Sequence, residues 1–301
     1  MTEPSLSLRG VFTPIVTSFD RDGDVAHDKM AANLEKWNQT GLSGYIVLGS
    51  NGEWVYLNEQ ERLEVLKHTR QAIPDEKLMI AGTASESTRN TIVLTEKAAE
   101  IGADAAIIVN PHYYKSQMTA PVLARYYRTV ADASPIPILI YNLPPATGMD
   151  LAADLLAELS HHPNIVGVKD TGGNIAKMGE TIRQAHPSFQ VLAGSANFFY
   201  PSLAMGVSGG VLALANVAPA ESVALFDLFT AGEIEKGKEL HLRMLPVNLA
   251  ITSRFGISGL KVALDMVGYY GGPPRLPLLP LGEARRQELR QILQQGGLLV
   301  D

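Results

Sequence analysis

The chain has 301 residues, 46% hydrophobic and 19% charged, a composition that suits one large globular core, alone or with a small appendage. Its net charge of −6 is spread over both signs with no basic block, which argues against nucleic acid and anionic membrane surfaces as partners. The absence of cysteine excludes disulfides, thiolate catalysis and cysteine-bound metals.

Residues 1–10 contain no apolar signal core, and no stretch approaches a membrane span, so a cytoplasmic location is expected. From there a short apolar run followed by an amphipathic segment repeats along the chain. The runs cover residues 10–16, 44–48, 78–82, 105–109, 136–140, 165–168, 190–193 and 209–214. Each is too short for a typical helix and is bounded by Gly, Pro, Asn or Ser, which predicts strands. Their apolar residues are nearly continuous, as in parallel strands buried on both faces.

Between the runs, helices are predicted. Asn58 and Glu61 form a capping-box pattern ahead of the stripe made by Leu63, Leu66 and Ile73. Ser87 caps a helix that stops at Gly102. Further helices are expected over 119–133, 151–160, 174–186 and 196–205. This succession predicts an α/β fold, a (β/α)8 barrel over residues 1–220. An open doubly wound sheet is the competing reading, but its glycine-rich phosphate fingerprint is missing after the first strand, where Thr13-Pro14-Ile15 follows. Beyond residue 220 strands disappear, and residues 221–301 are expected to form a helical appendage packed on the barrel.

In a barrel, the C-terminal strand ends share one face, where active sites form. Four polar groups stand at such ends: Gly49-Ser50-Asn51-Gly52-Glu53, Asn110-Pro111-His112-Tyr113-Tyr114, Tyr141-Asn142 and Lys169. An amine held among apolar neighbours loses solvation for its charge, and its neutral form is a nucleophile toward a carbonyl carbon. The opposing reading is a lysine whose head reaches water or a carboxylate, with Asp170 nearest in sequence. Ser50 and Asn51, flanked by glycines, can hold a small carboxylate or can simply cap the next helix. Glu53 is read as satisfying loop N–H groups. Tyr141 can relay protons or pack beneath a loop. Tyr113 can polarise Tyr141 or serve as an interface aromatic. His112 is the one histidine expected at this end, so a metal site is not expected.

These residues resemble the signatures of the dihydrodipicolinate synthase / N-acetylneuraminate lyase superfamily: Gly49-Ser50-Asn51-Gly52-Glu53, Tyr141-Asn142-Leu143-Pro144 and Gly167-Val168-Lys169-Asp170, in order along nearly the whole chain. The resemblance implies a class I, Schiff-base-forming, pyruvate-handling barrel that needs no cofactor and assembles as a homotetramer, a dimer of dimers. Lys169 falls on the Schiff-base lysine and Tyr141 on the proton-relay tyrosine. Ser50 and Asn51 fall on the synthases' carboxylate-binding Thr-Thr pair. Tyr113 falls on the tyrosine that enters a neighbouring subunit's site, and Val211 on a residue whose backbone contacts pyruvate. Ala146 stands where the synthases place a carboxylate-gripping arginine, which argues against lysine biosynthesis.

Ser50-Asn51, Leu192-Ala193-Gly194-Ser195-Ala196 and Arg254-Phe255-Gly256-Ile257 bring the chain nearest the 4-hydroxy-2-oxoglutarate aldolase branch, which yields pyruvate and glyoxylate. Thr171 occupies that branch's substrate-orienting serine position. The alternatives are an aldolase or dehydratase for a 2-oxo-3-deoxy sugar acid, a dihydrodipicolinate synthase, and a non-catalytic keto-acid sensor. In each the expected partner is a small-molecule 2-oxo acid.

Overall fold

The computed structural model describes residues 6–299; the sequence readings that reach residues 1–5 and 300–301 lie outside them. Eight short runs rich in Val, Ile, Leu and Ala form parallel strands. They are β1 (Gly10–Pro14), β2 (Gly44–Val47), β3 (Leu78–Gly82), β4 (Ala105–Val109), β5 (Ile138–Asn142), β6 (Ile165–Asp170), β7 (Gln190–Ala193) and β8 (Gly209–Val211). Each strand pairs with the next, and β8 pairs with β1, so the sheet closes into a barrel with no free edge.

The intervening helices are α1 (His27–Asn38), α2 (Glu59–Ala72), α3 (Thr88–Ile101), α4 (Ala120–Ala133), the single turn α5 (Pro144–Thr147), α6 (Ala153–Leu159), α7 (Ile175–Gln184) and α8 (Ala196–Leu203). Their ends follow local chemistry. Asn58 and Glu61 close a reciprocal capping box on α2. Ser87 accepts the Asn90 N–H to start α3, and Gly102, with φ of 98°, ends it in the left-handed conformation that glycine adopts without penalty. Trp37 of α1 is buried and donates its indole N–H to the Asn216 carbonyl at 3.1 Å, which ties the first helix to the turn after β8.

After the barrel strands come α9 (Pro219–Thr230), α10 (Ile234–Leu249), a π-helical turn (Ala250–Arg254), α11 (Gly256–Met266) and α12 (Glu283–Gln295). Helix α9 packs against β1 and α8, so it completes the outer ring; the division expected at residue 220 falls in its first turn. Helix α10 crosses α8 and α9, and α12 packs on α10 and α11.

Strand ends differ from expectation where chemistry begins. Strand β5 runs on to Asn142 and β6 to Asp170, so Tyr141 and Lys169 lie inside their strands rather than beyond them. Strand β8 stops at Val211, and a 3-10 turn from Ala213 to Asn216 replaces its expected last residues. Apolar character marks where a strand is buried; the ladder continues for as long as backbone groups find partners.

Candidate active site

The turn after β2 is built from two 3-10 turns, Ser50–Gly52 and Trp54–Tyr56, joined by Glu53 in the left-handed conformation (φ 51°). At the start of the first, the N–H groups of Ser50 and Asn51 have no acceptor within the turn. The turn is fastened to β1 and the segment after it: Asn51 Nδ2 donates to the Pro14 carbonyl at 3.3 Å, and Thr17 Oγ1 donates to the Gly52 carbonyl at 2.6 Å.

Register sets the centre. Tyr141 of β5 pairs directly with Lys169 of β6, and both residues are buried. The Lys169 amine lies 4.0 Å from the centroid of the Tyr141 ring. The Ser50 hydroxyl is 3.5 Å from the Tyr141 hydroxyl, so the β2 turn meets the β5–β6 pair at one point. Burial pushes the Tyr141 phenol up, but the Lys169 charge and contacts with the Ser50, Lys169 and Thr171 side chains outweigh it, leaving the phenol below its ordinary range. A phenol so placed can give up and take back a proton.

These groups open onto a cavity of about 380 Å³. Among the described residues lining it there is no carboxylate, and Lys169 is the one cation. The nearest acid in sequence does not serve Lys169. Alternation along β6 turns Asp170 to the other face, where it accepts the Gly172 N–H at 2.7 Å and meets Lys177 at 2.8 Å. Lys177 also pairs with Asp150, which accepts from Asn142 Nδ2 at 2.7 Å. Behind the Tyr141–Lys169 pair, an Asn142–Asp150–Lys177–Asp170 chain therefore joins the outward faces of the same two strand ends.

Ser50, Asn51, Tyr141, Lys169 and Thr171 all line the cavity. Two expected residues do not. Val211 is fully buried in β8, whose early end lets Ala213, two residues on, reach the cavity instead. Tyr113 is 78% exposed, lies edge-on to Tyr114 at 5.1 Å and is held by its backbone N–H to Glu86; within one chain it stays outside the cavity. His112, next to Tyr113 on the loop after β4, lies 3.1 Å from the carboxylate of Glu86 on the loop after β3. Glu53 does take a loop N–H, that of Arg275, and it also pairs with Lys261, away from the cavity.

No side chain of the far wall is among the candidate site residues read from the sequence, where Leu143 and Ile257 enter only within family-like motifs. That wall comprises Leu143 and Pro145, Asn197 and Phe198 at the start of α8, and Ile251, Thr252, Ser253 and Ile257 around the π-turn. Asn248, buried at the end of α10, holds Asn197 with its Nδ2 at 2.8 Å. Gly256, named above only within a family-like motif, carries a local signal as well: a glycine interrupting a long helical pattern marks a bend, and here it has φ of 59°.

Comparison with known proteins extends this geometry. The dihydrodipicolinate synthetase family model matches residues 7–296. A 4-hydroxy-tetrahydrodipicolinate synthase of Methanothrix thermoacetophila is 36% identical over 286 residues, covering 95% of this chain and 96% of that protein. A probable mitochondrial 4-hydroxy-2-oxoglutarate aldolase of Emericella nidulans is 38% identical over 295 residues, covering 95% and 94%. Among solved structures, a prophage protein of the dihydrodipicolinic acid synthase family from E. coli K12, in complex with pyruvate, superposes with a TM-score of 0.91 at 30% identity, covering 97% of this chain and 99% of that one.

Proposed function

The chain belongs to the dihydrodipicolinate synthetase family, whose members are metal-independent class I lyases, and from that premise we propose that it cleaves a 4-hydroxy-2-oxo acid, with 4-hydroxy-2-oxoglutarate as the preferred substrate, to pyruvate and glyoxylate. One observation carries the proposal. A buried lysine amine sits 4.0 Å over a tyrosine ring, in a cavity whose described lining holds no carboxylate to neutralise it.

In the proposed reaction the N–H groups of Ser50 and Asn51 hold the C1 carboxylate. The Lys169 amine attacks C2, and Tyr141 supplies the proton with which the carbinolamine loses water. The resulting protonated imine is the electron sink. Tyr141, now deprotonated, takes the proton of the C4 hydroxyl. The C3–C4 bond breaks, its electron pair passes to C3 as an enamine, and C4 leaves as the aldehyde carbon of glyoxylate. Protonation of C3 and hydrolysis of the imine release pyruvate and restore the amine. Thr171 presents a hydroxyl beside the Tyr141 phenol and is assigned to orienting the substrate.

Borohydride reduction in the presence of pyruvate tests the central step. Peptide mass should show the adduct on Lys169; reduction that leaves Lys169 unmodified overturns the mechanism. A second reading, cleavage of a 2-oxo-3-deoxy sugar acid, is favoured by the far wall, where neutral Asn197, Thr252 and Ser253 stand among apolar residues with no second cation. Relative kcat/KM for 4-hydroxy-2-oxoglutarate and for longer sugar acids decides between the two. We also propose that Tyr113 acts across an interface between copies of the chain in a homotetramer. Full activity from a species that sediments as a monomer would remove that role.

A further inference from the structure

A second lysine is buried and has no part in the mechanism above. Lys261 of α11 is wholly enclosed. Its Nζ lies 2.6 Å from Glu53 Oε1, donates to the Pro273 carbonyl at 2.9 Å and sits 4.3 Å from the centroid of the Phe19 ring. Burial lowers the basicity of this amine, and the Glu53 charge opposes that effect. The other Glu53 oxygen accepts the backbone N–H of Arg275 at 2.9 Å. The Arg275 guanidinium then returns to the same stretch of chain, donating to the Tyr56 carbonyl at 2.9 Å and to the Glu61 carboxylate at 2.6 Å.

Glu53 is the left-handed joint between the two 3-10 turns, and its own N–H donates to the Ser50 carbonyl at 3.2 Å. A non-glycine residue stays in that conformation when its surroundings over-determine it. Here the surroundings come from more than 200 residues away in sequence. The groups that grip Glu53 thereby bear on the N–H groups of Ser50 and Asn51, three and two positions earlier.

We infer that Lys261 and Glu53 are positioning residues for substrate affinity: the C-terminal helical region holds the β2 turn in the shape that receives the 2-oxo acid's carboxylate. The inference rests on the Schiff-base reading above. It differs from a purely structural role, which would lower stability without changing affinity for pyruvate.

The test is Glu53→Gln/Lys261→Met, which removes both charges at nearly constant volume and so avoids leaving one charge buried alone. Borohydride trapping at Lys169 is followed against pyruvate concentration. The half-saturating concentration should rise about ten-fold or more, the equivalent of losing one charge-assisted contact, while the extent of trapping at saturation stays at the wild-type level. A folded double variant with wild-type half-saturation overturns the inference. A second measurement needs no variant: in the unaltered protein, pyruvate should slow amide exchange in residues 50–56 and at Gly271, Gly272 and Arg275 together. Protection confined to 50–56 overturns the inference even if the double variant fails to fold. Failure of the wild type itself to be trapped would instead sink the Schiff-base reading.

Discussion

Lys169 and Lys261 are both buried lysines toward the catalytic end of one barrel, and they differ in what answers their charge. Lys261 has a carboxylate at 2.6 Å, a carbonyl at 2.9 Å and an aromatic face, and is sealed from water. Lys169 has the Tyr141 ring and an open cavity, while the adjacent Asp170 is engaged by Lys177 on the other face of the sheet. A buried cation with a matched anion is fixed in place and chemically quiet. An amine without one is free to meet a carbonyl, which is the role proposed for Lys169. Burial is common to both lysines; they differ in where the nearest acid lies and in whether a cavity reaches the amine, and the reactive role is assigned to Lys169 on that difference.

The largest effect that can break this contrast comes from Lys169→Met. Turnover should fall by on the order of 10⁴ or more, as when a covalent nucleophile is removed, and the borohydride adduct should vanish. Thermal stability should hold, because the change removes an amine that has no acid partner. An adduct persisting on another lysine would reassign the nucleophile.

Tyr141→Phe comes next, with an expected loss of about two to four orders of magnitude in kcat for a removed proton relay. Its pH dependence sharpens the assignment. The folded protein holds the Tyr141 phenol below its ordinary value of 10. As pH rises through that lowered value the proton donor is lost, so kcat/KM should fall with a midpoint below 10, and this limb should be absent in the variant. The phenolate absorbance of wild type minus variant should share that midpoint. Because the unfolded chain keeps the proton longer, this group makes stability rise with pH between the lowered value and 10, and contributes no such gain below that window.

Lys261→Met probes the other side of the comparison. Removing one partner strands the Glu53 charge in the interior, and the unfolding free energy should drop by about 3–5 kcal/mol in denaturant titration. A loss under about 1 kcal/mol would mean that Glu53 is satisfied without its partner. A given loss should be larger than anything Lys169→Met does to stability, whereas their order in turnover should be reversed.

The two lysines were unequally legible in sequence. Lys169 and Tyr141 each follow an apolar run with Gly, Pro or Asn close behind, so local pattern placed both at a barrel mouth; the register pair on β5 and β6 shows why they meet. Nothing local marks Lys261. It lies in a helical segment where a lysine would ordinarily face solvent, and its partner is 208 positions away, fixed only by how α11 docks on the β2 turn. Asp170 failed in the opposite sense: adjacency in sequence suggested a partner for Lys169, but the two-residue period of a strand sends neighbours to opposite faces. The far wall was hidden for the reason that hid Lys261, since Thr252 and Ser253 reach the cavity through a π-turn between helices that their own sequence gives no cause to place there.

Lys77 supplies the smallest test and the intermediate case. Only 9% exposed, it donates to the Thr40 and Leu42 carbonyls at 2.9 and 2.6 Å, and burial lowers its basicity. Its charge is answered at hydrogen-bond distance by two carbonyl dipoles, with the Glu76 charge acting from farther off, and the cavity beside Lys169 does not reach it. Lys77→Met leaves two carbonyls short of a donor, so it should cost about 1–3 kcal/mol, less than Lys261→Met because no full charge is stranded. It lies at the start of β3, on the opposite end of the barrel from Ser50 and Lys169, so kcat, KM and the pyruvate dependence of trapping should match wild type. If trapping weakened in step with stability at Lys77, Lys261 would owe its effect on affinity to general loosening, and the distinction between positioning and packing would fail.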